Sequence, residues 1–139
     1  MIAIQSSGCA PIVNAFNKGL DHAPLWKNAN TVASGIRVPA AIGDFLILDA
    51  LKESNGYALA VDDEHIINVR DLVSQEDGLL LCPEGAATAA GYQLAIEKKI
   101  ISPDEKVMLF NCATGLKYPM PPATKSIDKN APIDFQEFL

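Results

Sequence analysis

Asn111, Cys112, Thr114 and Gly115 stand together in LFNCATGLKYP, residues 109–119, directly after an apolar run. An amide, a thiol and a hydroxyl can each hold a ligand by hydrogen bonds, and ligands sit at the strand ends of open parallel sheets. Two other stretches have the same character. In TVASGIRVP, residues 31–39, Thr31, Ser34 and Gly35 would let the backbone approach a flat ligand, because glycine has no side chain in the way. The plain alternative is a loop before a helix. In CPEGAATAAG, residues 82–91, small residues allow close packing against a sheet or a cofactor, and Glu84 sits at a strand end. A carboxylate at a helix N-terminus is also stabilising in its own right.

Familiar catalytic signatures are missing. There is no GxGxxG, no phosphate-loop GxxxxGK and no GxSxG elbow. Cys112 has no obvious histidine base. Cys9, Cys82 and Cys112 are odd in number and far apart, which excludes a CxxC pattern and fits a reducing cytosol. His22 and His65 are isolated, so no metal site is expected.

The elements that must position these residues alternate. IAIQ reads as a strand, APIVNAFNKGL as a helix closed by Gly19, and residues 20–39 as a long functional loop. AAIGDFLILDALKESNG has helical spacing and a stop at Gly56, followed by the strand YALAV. Asp62 is placed to cap a helix running to about Gln75, with Ile66, Val69 and Val73 as its apolar stripe. GLLLC reads as a strand buried on both faces, PEGAATAAGYQLAIEKK as a helix with Pro83 in its first turn, SPDE as a turn and KVMLFN as a last strand. The fold class expected is α/β, an open and mostly parallel sheet with flanking helices. Residues 1–119 form the packed part, and 120–139 a Pro-containing tail.

A chain of 139 residues with net charge −6 makes one domain and lacks the clustered Lys and Arg of a nucleic-acid surface. Lys98–Lys99 reads as the solvated end of a helix. No apolar run is long enough for a membrane span or a signal peptide, so a cytoplasmic protein is expected.

The motifs QSSGCAP, NTVASGIRVPAAIGDFLIL, VDDEHI, CPEGAA and LFNCATGLKYP, in this order, resemble the C-terminal part of threonine synthase over about residues 2–119. The resemblance implies the pyridoxal-phosphate (PLP) fold type shared with tryptophan synthase β and serine/threonine dehydratases. The implied reaction turns O-phospho-L-homoserine and water into L-threonine and phosphate, a PLP-dependent lyase chemistry. By the same resemblance Cys112 takes the place of the residue that hydrogen-bonds the pyridine nitrogen, with Thr114 as the alternative. Gly35 and Ile36 resemble the segment beside the ring, and Glu84 the acidic residue on its imine side. Lys117 matches a position that is not the Schiff-base lysine.

In that family the Schiff-base lysine and the glycine-rich phosphate cradle lie upstream of the matched part, and Met1 falls inside what resembles a family strand. No SxKxR-like or GGGTG-like motif occurs here. The expectation is a C-terminal portion that is inactive alone and binds PLP weakly or not at all. One thiol-to-nitrogen hydrogen bond is worth only about 0.5–1.5 kcal/mol. Other readings stay open: a subunit completed by an N-terminal chain, a small-ligand-binding or self-associating module, or a related PLP enzyme such as a dehydratase or cysteate synthase. The expected small-molecule partner is an amino-acid substrate.

Overall fold

The computed structural model describes residues 1–119 and 125–138. Two parallel strands form its sheet: β1, Ile2–Ser6, and β2, Tyr57–Val61, in register from Ile2 opposite Tyr57 to Ser6 opposite Val61. Helices α1, Pro11–Asn17, and α2, Asp44–Glu53, connect the strands; α3, Asp63–Asp77, and α4, Pro83–Glu97, follow β2. The α/β class with a parallel sheet and flanking helices is the one expected from the alternation.

Parallel strands need cover on both faces. Successive strand residues point to opposite sides, so Ala3, Ala58 and Ala60 turn toward α1 and α2 and pack with Ile12, Val13, Leu48 and Leu51. Ile4 and Val61 turn the other way, toward Ile66, Val69, Ala86 and Ala90 of α3 and α4. The small residues of α4 bring it close to the sheet: a Cβ on Gly91 would lie 2.4 Å from Ile4 Cδ1. Asp62 caps α3 as expected, its carboxylate accepting from the His65 N–H at 2.8 Å.

Three expectations change. GLLLC does not form a strand; Leu81 alone makes an isolated antiparallel bridge, to Thr114. KVMLFN lies outside any sheet, with Met108 95% and Phe110 76% exposed. Its composition signals burial on both faces, but a strand also needs a neighbour for its N–H and C=O groups, and no described strand runs beside it. Gly56 is not the left-handed stop of α2. Asn55 takes that conformation, with φ 48°, while Gly56 is small because a Cβ there would lie 2.0 Å from the Met1 carbonyl oxygen.

Residues 120–124 and 139 of the expected tail lie outside the described residues; 125–136 are exposed, with a 3-10 turn at Phe135–Phe138. No helix among the described residues is long and apolar enough to cross a membrane.

The loop at 20–39 is fastened to the turn after β1. Gly8 O accepts from Trp26 Nε1 at 2.9 Å and from Asn30 N at 3.1 Å, and a Cβ on Gly8 would lie 1.8 Å from the Asn30 carbonyl oxygen. Backbone on both sides leaves little room to yield. Gly8→Ala should therefore lower stability by about 1–3 kcal/mol, as overpacking does, seen as a lower urea midpoint. Gly43→Ala, where the nearest atom is Leu46 Cδ1 at 4.0 Å, should stay within about 1 kcal/mol of the parent.

Candidate functional site

The candidate residues meet around the N-terminus of α4. Cys82 is its N-cap, and the Cys82 sulfur accepts from the Gly85 N–H at 3.3 Å. Pro83 opens the helix with its φ already suited to it. This places Glu84 in the first turn, buried, where its carboxylate is favoured by the helix dipole. One Glu84 oxygen accepts from the Gly35 N–H at 2.6 Å and the other from the Tyr118 hydroxyl at 2.7 Å. A Cβ on Gly35 would stand 2.8 Å from Glu84 Oε1, so a larger residue there would make the Glu84 side chain shift. Ile36 packs on the same side, against the core beneath α4.

Burial pushes the Glu84 carboxyl upward, but hydrogen bonds from Tyr118 and from backbone N–H groups including that of Gly35 outweigh it and leave it below the ordinary carboxylate range. The Tyr118 hydroxyl moves up, chiefly because it donates to that anion.

The stretch 111–118 closes the other side. Thr114 bridges to Leu81, the Gly115 N–H donates to Leu80 O at 3.0 Å, and the Thr114 hydroxyl accepts from the Leu116 N–H to start the 3-10 turn Gly115–Lys117. Cys112 and Thr114 are exposed. The Cys112 sulfur lies 3.9 Å from that of Cys82, and Cys82 also donates to Asn111 Oδ1 at 3.5 Å.

Gly35, Ile36, Glu84, Cys112 and Thr114 thus surround one helix end. Sequence reasoning missed Cys82 and Tyr118 as their partners. It also missed that the loop is held at two further helix starts. In the first turn of α2, Asp44 accepts from the Ala23 N–H at 2.6 Å. In the first turn of α3, Asp63 accepts from the Val32 N–H at 2.9 Å, from the Thr31 hydroxyl at 2.5 Å and from the Ser6 hydroxyl at 3.0 Å. The available signal was an acidic residue in the first turn of each of these three helices.

The pyridoxal-phosphate dependent enzyme family matches residues 1–113. The chain belongs to that family. It is 36% identical over 119 residues to the threonine synthase of Methanocaldococcus jannaschii, and 32% to that of Methanosarcina acetivorans, in each case across 86% of this chain and 29% of the relative. The chain therefore spans under a third of these relatives' length, and the threonine synthase resemblance read from the motifs holds. A solved threonine deaminase from T.th. has the same fold over 70% of this chain and 33% of its own, with TM-score 0.55 and 18% identity.

The family's group has three handles: a ring with a basic nitrogen, a phosphate and an aldehyde. The exposed thiol of Cys112 and hydroxyl of Thr114 could each hydrogen-bond such a nitrogen, while a separate apolar cleft of about 410 Å³ beside Gly35 and Ile36 is lined by Val38, Ala41 and Ile42 and by neither Cys112 nor Thr114. The phosphate and aldehyde are not matched by the residues gathered here. Gly35, Ile36, Glu84, Cys112 and Thr114 carry no amine or guanidinium, the neighbouring Arg37 and Lys117 are exposed, and the Gly85 and Ala86 N–H groups of α4 already bond to Cys82.

Removing the Glu84 carboxylate takes the partner from the Gly35 N–H and from the half-buried Tyr118 hydroxyl. Glu84→Ala should cost about 1.5–3 kcal/mol, the range for hydrogen bonds to a charged group, read from urea unfolding at pH 7. Because the folded value is depressed, Glu84 contributes fully above its ordinary value of about 4.3 and loses that contribution as pH falls below it. The gap between the parent and Glu84→Gln should accordingly narrow at pH 3.

Proposed function

We propose that this chain supplies the ring side of a threonine-synthase-type PLP site and does not turn over substrate alone. The observation that carries the reading is the gathering of Gly35, Ile36, Glu84, Cys112 and Thr114 at one helix end. In the complete site PLP supplies the electron sink. There Cys112, or Thr114 beside it, would hold the ring nitrogen and Gly35 and Ile36 would line the ring, while Glu84 fixes the Gly35 backbone. The substrate proposed is O-phospho-L-homoserine and the compartment the cytoplasm.

A second chain bearing the lysine and the phosphate cradle is proposed to complete the site. Residues 1–119 would be the part that docks against it, and 120–139 a tail. The unpaired apolar segment at 107–110 supports this. With β1 and α4 it borders a cavity of about 380 Å³ beside an open sheet edge, and such edges accept added strands.

Borohydride reduction in the presence of PLP, followed by intact-mass analysis, tests the reading. The chain alone should show no single-site label. Mixed with a polypeptide covering the remaining N-terminal part of the Methanocaldococcus jannaschii threonine synthase, one label should appear, on that polypeptide. One stoichiometric label on a lysine of this chain alone would overturn it.

A further inference from the structure

We propose that Cys82 and Cys112 form a reversible disulfide that fastens the segment 106–113 to the N-terminus of α4. The pair is 30 residues apart in sequence, yet the two sulfurs are in contact at 3.9 Å. Their settings differ in a way that suits thiol–disulfide exchange. Cys112 is exposed in an irregular segment; Cys82 is fully buried and fixed as the helix N-cap. Closing the gap to a bond of about 2.05 Å requires movement on the Cys112 side, where no regular element resists it. Cys9, the other cysteine, is buried beside α1.

The co-reactant is a low-molecular-weight disulfide. The Cys112 thiolate attacks one of its sulfurs, forming a mixed disulfide and expelling one small thiolate. The Cys82 sulfur then attacks Cys112 Sγ, breaking the mixed disulfide and expelling the second small thiolate. Two protein thiols are oxidised, one external disulfide is reduced, and the two protein protons end on the released thiols. Burial raises the Cys82 thiol while the Gly85 N–H draws it down. This fits Cys112 as the entry point and Cys82 as the resolving thiol.

The bond does not depend on the function proposed above. On that reading it would also take Cys112 away from the ring edge. The test is incubation with oxidised glutathione, then intact mass and peptide mapping without reduction. The expected product is two hydrogens lighter than the reduced chain, joins Cys82 to Cys112, leaves Cys9 free and reverts with dithiothreitol. In Cys82→Ser, where serine keeps the cap, glutathione should remain on Cys112. A parent chain that stops at glutathionylated Cys112, pairs through Cys9 or does not react would overturn the proposal, and none of these results bears on PLP labelling.

Discussion

A carboxylate at the start of a helix can serve two masters, and the arrangement of this protein depends on that. Asp44, Asp63 and Glu84 each stand in the first turn of a helix, where an anion is favoured, and each also receives a backbone N–H from the loop between α1 and α2. Ala23, Val32 and Gly35 are spread along that loop. It carries only the 3-10 turn Ser34–Ile36 as regular structure, so its N–H groups need partners elsewhere. Three anions provide them at three separate helix ends. The Ala23 N–H is also the leading reason the Asp44 carboxyl lies below its ordinary range.

The consequence for the site is placement. A candidate site built from loop backbone has to be held as firmly as one built from a helix. Here Gly35 is fixed by Glu84, Glu84 by the cap at Cys82 and the hydroxyl of Tyr118, and Thr114 by the bridge to Leu81. The second Asp63 oxygen adds Thr31 and Ser6, tying the loop to the end of β1 as well. Motifs far apart in the chain thereby become neighbours.

Much of this fold could be read from the sequence. The spacing of Ile66, Val69 and Val73, the Asp62 cap and Pro83 in the first turn of α4 are local signals, and local signals survive in the structure. The strands expected at GLLLC and KVMLFN failed for a nonlocal reason: apolar composition declares a need for burial but not the presence of a neighbour. The candidate residues were legible through family motifs, whereas their partners were not. Gly35 and Glu84 are 49 residues apart, and Cys82 and Cys112 are 30 apart, so no window along the chain links them. Glu84 was visible as a helix-start anion; that it also holds the loop emerges only in three dimensions.

The most direct measurement is amide hydrogen exchange, residue by residue by NMR, at Ala23, Val32 and Gly35. If the three carboxylates hold the loop, these amides exchange far more slowly than an unstructured peptide, and Gly35 alone loses protection in Glu84→Ala while Ala23 and Val32 keep theirs. Exchange at peptide-like rates in the parent chain, or protection of Gly35 unchanged by the substitution, would contradict the account.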